Sequence, residues 1–299
     1  MKAEFPHHHY IPVFYLKHWA PGGRFIEFSR QHGGVVNGRP TSPVGTGYVP
    51  GLYRLRGLPE DLAEQVERGF MGFVDNLANE ALQIHLRKSN RQPTAKIMSA
   101  WSRFITGILF RNPEHIARGR KEIEDEWLRD YDKRKAEYED WKTPEHPDFL
   151  EYIVQSTDRA TMRLAQMIID NQTMGTQLNN MRWFVVDTSD VGRPFFTSDR
   201  PIIMSNGLQG PDGHLALPIS PSKLFVACNT PRQETLIRVQ PRRELVKFVN
   251  RHVVRRAVKY AWNTDKAEID FVDKHLSKEA HLDTFFDYRP KTASPFSTR

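Results

Sequence analysis

The sequence predicts an α+β fold in which a helical bundle packs on a mostly antiparallel sheet. Helical periodicity dominates the middle of the chain, and short strand-like segments separated by turn residues follow in the last third. Strands and helices do not alternate regularly, as the parallel sheet of an α/β protein would require. No internal repeat or long linker divides the sequence, so we expect one domain over residues 1–299, with a charged helical insertion at about 114–146.

The first part of the chain is predicted to be extended and rich in turns. Short extended segments are expected at residues 24–28 and 51–55, where aromatic and aliphatic residues stand between turn formers. The stretch between them, residues 33–50, is rich in Gly, Pro, Ser and Thr. This composition predicts turns and loop.

Helical signals begin at Pro59, which is followed by two acidic residues as at many helix starts. Apolar residues then recur at steps of three and four from Leu62 to Ile84, which predicts one buried helix face. A second helix is expected from Thr94 to about Arg111. Residues 114–146 mix charged and aromatic side chains and predict a solvated helical arm, and another helix is expected over 147–172.

The last third of the chain predicts short strands and one long helix. The helix is expected from Pro241 to about Trp262. The strands are expected at residues 183–186, 195–197, 201–204, 215–218, 224–227 and 235–239.

The composition is that of a soluble protein: of 299 residues, 39% are hydrophobic and 26% are charged. No run approaches the ~18 apolar residues of a transmembrane helix. The N-terminus lacks the apolar core of a signal peptide, so we expect a cytoplasmic protein with no membrane partner. The single cysteine, Cys228, excludes an internal disulfide and a cysteine-based zinc cluster, and its apolar neighbours favour a place in the core.

The charge balance favours an acidic partner. The formal net charge is +7 at pH 7 and the sequence pI is about 9.4. Such a balance suits nucleic acid, nucleotides or another phosphate-rich anion. It is a bias only, because many basic proteins bind nothing acidic.

The histidine run His7-His8-His9 is the first site candidate, and it continues directly into an aromatic, proline-containing segment. Imidazole titrates near neutral pH, so these side chains can exchange protons or bind a metal. A tag remnant would not normally continue into such an apolar segment. The alternative is that the histidines pack and form hydrogen bonds within the fold.

The second candidate is the polar segment Thr197-Ser198-Asp199-Arg200, which lies between two predicted strands. A carboxylate at a strand end can orient a histidine or bind a metal. The Ser198 hydroxyl beside it is a candidate nucleophile. The alternative is turn chemistry, in which Ser and Asp side chains satisfy turn backbone and Pro201 stiffens the exit.

The C-terminal helix is predicted to carry a stripe of like charge. Cations recur every four residues and therefore share one side of the helix: Arg243, Lys247, Arg251, Arg255 and Lys259. Such a stripe is a candidate contact for a phosphate backbone, to which each cation adds a salt-sensitive contribution. The alternatives are an exposed face that keeps the protein soluble, or pairing with the acidic arm at residues 122–140.

Common catalytic motifs are missing from the sequence. The stretch Gly45-Thr46-Gly47 lacks the strand–helix context and the lysine of a phosphate-binding loop. Neither His-Glu-x-x-His nor Gly-x-Ser-x-Gly occurs. Zinc-protease and α/β-hydrolase interpretations are therefore poor.

Several motifs together resemble the bacterial family catalogued as domain of unknown function 4238. They span about residues 8–260 in the expected order, with Trp19 standing where Phe is expected. The motifs are His8-His9-Tyr10-Ile11-Pro12, Phe14-Tyr15-Leu16-Lys17 with Ala20, Arg111-x-Pro113, Phe196-Thr197-Ser198-Asp199-x-Pro201, Leu217-Pro218-Ile219-Ser220-Pro221, and Asn250. The resemblance supports the extent of the domain and supplies no reaction.

The first functional hypothesis is a nuclease-like hydrolase of a phosphodiester or other phosphate-rich substrate. The N-terminal segment would dock on the sheet and bring His8 or His9, as acid/base, beside Asp199, the orienter or a metal ligand. Arg111 at the rim would stabilise developing phosphate charge. Whether a divalent metal takes part stays open.

The second hypothesis is a non-catalytic nucleic-acid or protein binding module. Its His-Asp-Arg cluster would be a buried polar network that fixes the fold, and the basic helix would be the contact surface. Exposure separates the two hypotheses. A catalytic histidine lies in an open pocket, whereas a structural one is fully buried.

Overall fold

A computed structural model of the chain describes residues 5–30, 34–87, 93–205 and 208–277. The strands are β1 His7–His9, β2 Phe25–Arg30, β3 Val36–Thr41, β4 Tyr48–Pro50, β5 Arg182–Asp187, β6 Thr197–Ser198, β7 Ile203–Ser205, β8 His214–Ser220, β9 Lys223–Cys228 and β10 Ala261–Asn263. The α-helices are α1 Val13–Leu16, α2 Glu60–Ala63, α3 Gly72–Leu86, α4 Ala95–Phe110, α5 Pro113–Arg129, α6 Tyr131–Trp141, α7 Phe149–Ile169, α8 Gln172–Asn180, α9 Pro231–Arg238, α10 Arg242–Arg256 and α11 Ile269–His275. A π-helical segment, Val66–Met71, precedes α3.

The strand pairs of the described residues are antiparallel, and the predicted α+β class is confirmed. They form a β1–β4 pair, a sheet in the order β3-β2-β10-β6 and a sheet in the order β5-β9-β8-β7. Strand β10 lies between β2 and β6, so that Trp262 is opposite Glu27 on one side and Thr197 on the other. Backbone hydrogen bonds therefore join the first and last parts of the described chain within one sheet.

The sheet that contains β8 and β9 is covered on both faces. The face toward the helical bundle holds Leu215, Leu217, Phe225 and Ala227. The face toward α10 holds Ala216, Leu224, Val226 and Cys228. Successive side chains point to opposite faces, so a strand buried on both faces is a continuous apolar run. The expected core position of Cys228 is confirmed.

The helical bundle is built around α4, whose Trp101 and Phe104 are buried. The helix ends where Pro113 takes the first position of α5 and Asn112 caps that helix, its Oδ1 accepting the His115 N–H at 3.1 Å. The break between the helices leaves Arg111 inside the molecule. Every helix among the described residues is too short or too polar to cross a bilayer.

The charged arm is helical, as predicted, but only its second half is a solvated arm. In α5, the side chains of Ile116 and Ile123 are buried, and Gly119 lies against Thr161 of α7. In α6, Tyr138 is the residue that is buried. It closes a small cluster with Phe149 and other residues of α7.

Two elements of the first part of the chain differ from the prediction. Residues 36–41 form β3 rather than loop, since they pair along the whole of β2. Residues 51–53 form a turn and residues 54–55 are irregular, so the predicted extended segment is absent there. The turn starts at Gly51, whose φ of +63° is the left-handed conformation that favours glycine.

Two elements of the last part also differ. Residues 235–239, predicted as a strand, belong mostly to α9. That helix starts with Pro231 at its first position and Thr230 as cap, its Oγ1 accepting the Gln233 N–H at 3.2 Å. The predicted helix to Trp262 ends at Arg256 instead, and the chain then turns into β10.

Candidate functional site

His8 is fully buried and has both ring nitrogens engaged. Its Nδ1 accepts the backbone N–H of Tyr53 at 2.9 Å, and its Nε2 lies 2.6 Å from Oε2 of Glu64. Because Nδ1 accepts, the ring proton is on Nε2 and is donated to Glu64, so the imidazole is neutral. Burial lowers the pKa of His8, while its hydrogen bond to the Glu64 carboxylate acts in the opposite direction. This arrangement leaves His8 no free nitrogen with which to act on a substrate.

Arg111 is 1% exposed and lies between the bundle and the N-terminal segment. Its Nε donates to the Tyr10 carbonyl oxygen at 3.0 Å, and its Nη1 pairs with Oδ1 of Asp75 at 2.8 Å. Its own carbonyl oxygen accepts the hydroxyl of Tyr53 at 2.7 Å. Burial raises the pKa of Asp75, and Arg111 opposes this shift. Arg111 thus fastens three segments of the chain to one another.

Three buried polar atoms near Arg111 have no hydrogen-bond partner among the described residues: His9 Nε2, Glu67 Oε2 and Arg111 Nη2. Burial lowers the pKa of His9 and raises that of Glu67 to about 7, where Arg111 opposes the shift. Glu67 belongs to the π-helical segment Val66–Met71, a deviation from α-helix that is frequent at functional sites. Three polar atoms with unused hydrogen-bonding capacity therefore lie in this part of the molecule.

Asp199 is fully buried, and its carboxylate holds the turn after α10. Its Oδ1 accepts the N–H of Val258 at 2.8 Å, and its Oδ2 accepts those of Lys259 at 2.6 Å and Tyr260 at 2.9 Å. Burial raises the pKa of Asp199, while Arg200 and the three backbone donors act in the opposite direction. Every close contact of the carboxylate is structural.

Ser198 is also buried, and its Oγ accepts the backbone N–H of Arg200 at 3.1 Å. This bond to the residue two positions on is the turn chemistry that the sequence offered as the alternative to a nucleophile. Arg200 itself pairs with Glu114 at 2.5 Å.

The structure does not bring the predicted catalytic groups together. Neither His8 nor His9 forms a hydrogen bond or ion pair with Asp199 among the described contacts, so that pairing is wrong. The predicted position of Arg111 at a rim is also wrong, because the side chain is buried against Asp75. His8 and Asp199 each have hydrogen-bond partners of their own, whereas His9 Nε2 and Arg111 Nη2 have none among the described residues.

The N-terminal segment does dock near Asp199, but through a tyrosine. Burial raises the pKa of Tyr10, and Asp199 raises it further, which places that carboxylate within electrostatic reach of the ring. One turn on, the Tyr15 hydroxyl lies 2.7 Å from Oγ1 of Thr197 and donates to the Pro218 carbonyl oxygen at 2.7 Å. The docking is therefore architectural.

Two further residues complete this network. Nε1 of Trp19 donates to the carbonyl oxygen of Phe195 at 2.8 Å. The side chain of Asn250 accepts the N–H of Phe196 and donates to the carbonyl oxygen of Pro194, both at 2.9 Å. Residues from the histidine, Ser-Asp, Leu-Pro and asparagine motifs thus bind the N-terminal segment, the sheets and α10 to one another.

The exposed cations lie elsewhere, on α10. We call the exposed side chains Arg243, Lys247, Arg251 and Arg255 the basic face. Within the described part of the chain no acidic side chain forms an ion pair with any of them, the acidic arm at residues 122–140 included. Lys259, predicted as the fifth member, is exposed but lies beyond the end of α10, so the helical stripe is shorter than expected.

The cations of the basic face lower the pKa values of two nearby histidines. Burial lowers the pKa of His252, and Arg251 and Arg255 lower it further. Burial also lowers the pKa of His275 in α11, and Lys274, Arg251 and Arg255 add to this shift. A concentration of positive charge disfavours any further proton.

The sequence matches a family model described as Protein of unknown function (DUF4238) over residues 7–267. The chain belongs to this family. No curated protein and no solved structure matches it. The resemblance carried by the sequence motifs is thereby confirmed, and in this family member those motifs build the polar network that joins the N-terminal segment to the sheets.

The candidate catalytic residues and the basic face differ in exposure. His8, Arg111, Ser198 and Asp199 are buried and His9 is half-buried, whereas the basic face is exposed and forms no ion pair among the described residues. Within those residues no group of three or more His, Cys, Asp or Glu side chains could hold a metal ion.

The sequence did not reveal the acidic residues that surround His8 and Arg111. Glu64, Glu67 and Asp75 form the acidic side of the interior around His8 and Arg111. Neither hypothesis drawn from the sequence gave these three residues a role. In the sequence, these residues are visible only as acidic residues at positions 64, 67 and 75 among apolar ones. That pattern does not distinguish a buried carboxylate from a solvated one.

Proposed function

We propose that this protein is a non-catalytic binding module that holds a nucleic acid on the basic face of α10. The observation that carries the proposal is the row of exposed cations that lack acidic partners among the described residues. The binding of such a row of cations to a phosphate backbone is favourable, because it releases the counterions condensed on that backbone. The formal net charge of +7 favours the same class of partner.

The spacing of the cations suits a polymer of phosphates. Four residues rise about 6 Å along a helix, so the four side chains of the basic face span about 18 Å. One strand of a duplex carries a charge about every 3.4 Å along the axis, which places several phosphates within that span. A single small anion would occupy only one or two of these cations.

The nuclease-like hydrolase is supported less well. Its His8, Asp199 and Arg111 side chains are buried and have separate structural partners. A general acid must reach its substrate within hydrogen-bond distance. The binding function meets the requirement for access, since the side chains of the basic face are exposed.

The test compares two variants that each lose four positive charges. In one, the residues of the basic face are replaced by glutamine. In the matched control, glutamine replaces four cations that pair with acids in α5, α6 and the residue after α6: Arg118, Lys121, Lys133 and Lys142. Labelled duplex DNA, single-stranded DNA and single-stranded RNA are titrated with each protein by fluorescence anisotropy.

We expect the wild type and the control to bind one of these probes, with affinity falling about 100-fold between about 50 and 200 mM salt if four phosphates are contacted. The variant of the basic face should lose this binding and flatten the salt dependence by about one unit of slope for each cation removed. Equal binding by both variants would contradict the proposal. Cleavage of a probe by the wild type, lost in His9→Ala at unchanged Tm, would establish the hydrolase instead.

A further inference from the structure

A groove of about 500 Å³ lies beside the basic face, between α9, α10 and the face of the β7-β8-β9 sheet that is turned toward α10. Its floor is formed by buried aliphatic side chains from both the sheet and α10, among them Leu224, Val226 and Val249. Its edges carry two large apolar side chains that water reaches. Leu236 of α9 is 47% exposed and Phe248 of α10 is 45% exposed.

The apolar part of the groove is of the size and character of a small-molecule site. Such sites commonly enclose about 300–1,000 Å³ and combine apolar walls with a few polar groups. Leaving Leu236 and Phe248 half-exposed forgoes part of the free energy that their burial would give. A ligand that covered both would recover it.

The charged side chains of the groove lie along α10, and two of the three are cations. Lys247 and Arg251, one helical turn apart, both line the groove and belong to the basic face. Glu244 is the carboxylate at the same edge, and Gln233 and Gln240 add neutral amides. Two cations against one carboxylate select for a negatively charged group on the ligand.

We infer that the groove binds a free, single-chain anionic amphiphile of the fatty-acid type. The hydrocarbon tail would cover the aliphatic floor between Leu236 and Phe248, and the carboxylate would lie between Lys247 and Arg251. A nucleobase fits less well, because the buried floor has aliphatic side chains where base edges need hydrogen-bond partners. The inference does not rest on nucleic-acid binding, although both ligands would use the same two cations.

The test measures binding of dodecanoate below its micellar concentration by isothermal titration calorimetry. Dodecanol and dodecyltrimethylammonium serve as probes with the same tail and no charge or the opposite charge. We expect one saturable site, with dodecanoate at least about tenfold tighter than either. The double variant Lys247→Gln and Arg251→Gln should lose this preference and keep the weak binding of dodecanol.

A matched pair of variants tests the position of the tail. Leu236→Asp places a negative charge on the edge of the groove and should weaken dodecanoate binding at least about tenfold. Leu150→Asp makes the same change at an exposed leucine of α7 and should bind as the wild type does. Both leucines are half-exposed, so both variants should fold, which circular dichroism checks.

Three results would overturn the inference: no saturable site, equal affinity for the cationic amphiphile, or unchanged binding in Leu236→Asp. Binding only to vesicles of anionic phospholipid, with none to the free probe, would assign the face to a membrane surface and overturn it as well. These titrations contain no nucleic acid. Failure here therefore leaves the proposed function standing, and failure of the anisotropy experiment leaves this inference standing.

Discussion

At the scale of single residues, three adjacent histidines occupy three different environments. His7 is exposed and stacks on Tyr48 with ring centroids 3.7 Å apart. His8 is buried and fully hydrogen-bonded, and His9 is half-buried. Successive side chains of β1 point to opposite faces, which separates His8 from its neighbours. His8 and His9, the two alternatives for the acid/base, therefore lie in different surroundings.

The raised pKa of Glu67 leads to a prediction that the pH dependence of stability can test. Its pKa rises from 4.5 to about 7 on burial, so between these values the folded protein keeps a proton that the unfolded chain has lost. Stability must then fall as pH rises through that window. We expect Glu67→Gln to raise the free energy of unfolding at about pH 8 by on the order of 1–3 kcal/mol, with little effect at about pH 4.5.

Urea unfolding at the two pH values measures this difference. The control is Glu80→Gln, at an exposed position of α3, which should change stability little at either pH. A loss of stability in Glu67→Gln at high pH would mean that the ionised carboxylate stabilises the fold through Arg111. The assigned pKa direction would then be wrong.

At the scale of secondary-structure elements, one carboxylate decides where α10 ends. Ala257 has an extended conformation, with φ of −59° and ψ of 132°, and the next three backbone N–H groups all bind Asp199. The chain is thereby turned into β10, which pairs with β2 and β6. Asp199 thus links the end of a helix to the strand that joins both parts of the molecule.

Removal of that carboxylate should be strongly destabilising. Asp199→Ala leaves three backbone donors of a partly buried turn without an acceptor, and we expect a loss of about 3 kcal/mol. Asp265→Ala is the control, because this exposed side chain caps one N–H, that of Ala267, and should cost only about 1 kcal/mol. Urea unfolding gives both values. Equal losses in the two variants would show that the three bonds do not hold the turn.

Most of the elements could be predicted from local sequence, and the failures have local causes. The apolar run at residues 224–228 predicts a strand because both of its faces are buried. The β-branched residues at 235 and 237 suggested another strand, but the cap and proline at 230 and 231 prevail and start α9. The end of α10 could not be predicted, since its cause lies at residue 199.

The candidate site was only half predictable, for the same physical reason. The sequence singled out His8, Asp199 and Arg111 as polar groups in unusual settings, and all three do hold key buried positions. It could not give their partners, which are distant in sequence. Glu64 is 56 positions from His8, and its role follows from tertiary contact alone.

At the scale of the whole molecule, the charges of the arm and those of the basic face differ in how they are paired. Acids of α5 and α6 pair with neighbouring cations of the arm, as in Lys121–Asp125 and Lys133–Glu137, apart from Glu114, which pairs with Arg200. The basic face of α10 forms no such pairs among the described residues. Because the acids of the arm do not pair with the basic face, they do not neutralise its positive charge. A field of one sign over a surface attracts a ligand of the other sign before contact.

This field predicts how pH should affect nucleic-acid binding. The pKa values of His252 and His275 are lowered by burial and by the surrounding cations, so both side chains are mainly neutral at pH 7 in the free protein. A bound polyanion would offset the positive potential and raise both pKa values, so that binding takes up protons. Affinity should therefore increase as pH falls from about 7 to about 5.5, by up to about tenfold for each histidine whose pKa rises by one unit.

Anisotropy titrations at several pH values, at constant ionic strength, measure this linkage. The double variant His252→Gln and His275→Gln should bind at pH 7 nearly as the wild type does but lose the increase at low pH, because the sites of proton uptake are gone. His146→Gln, which removes an exposed histidine of the arm, should keep it. An increase that persists in the double variant would place the proton uptake elsewhere and show that the ligand does not lie over these histidines. Their position beside Arg251 and Arg255 therefore makes them internal probes of whether the basic face is the surface in use.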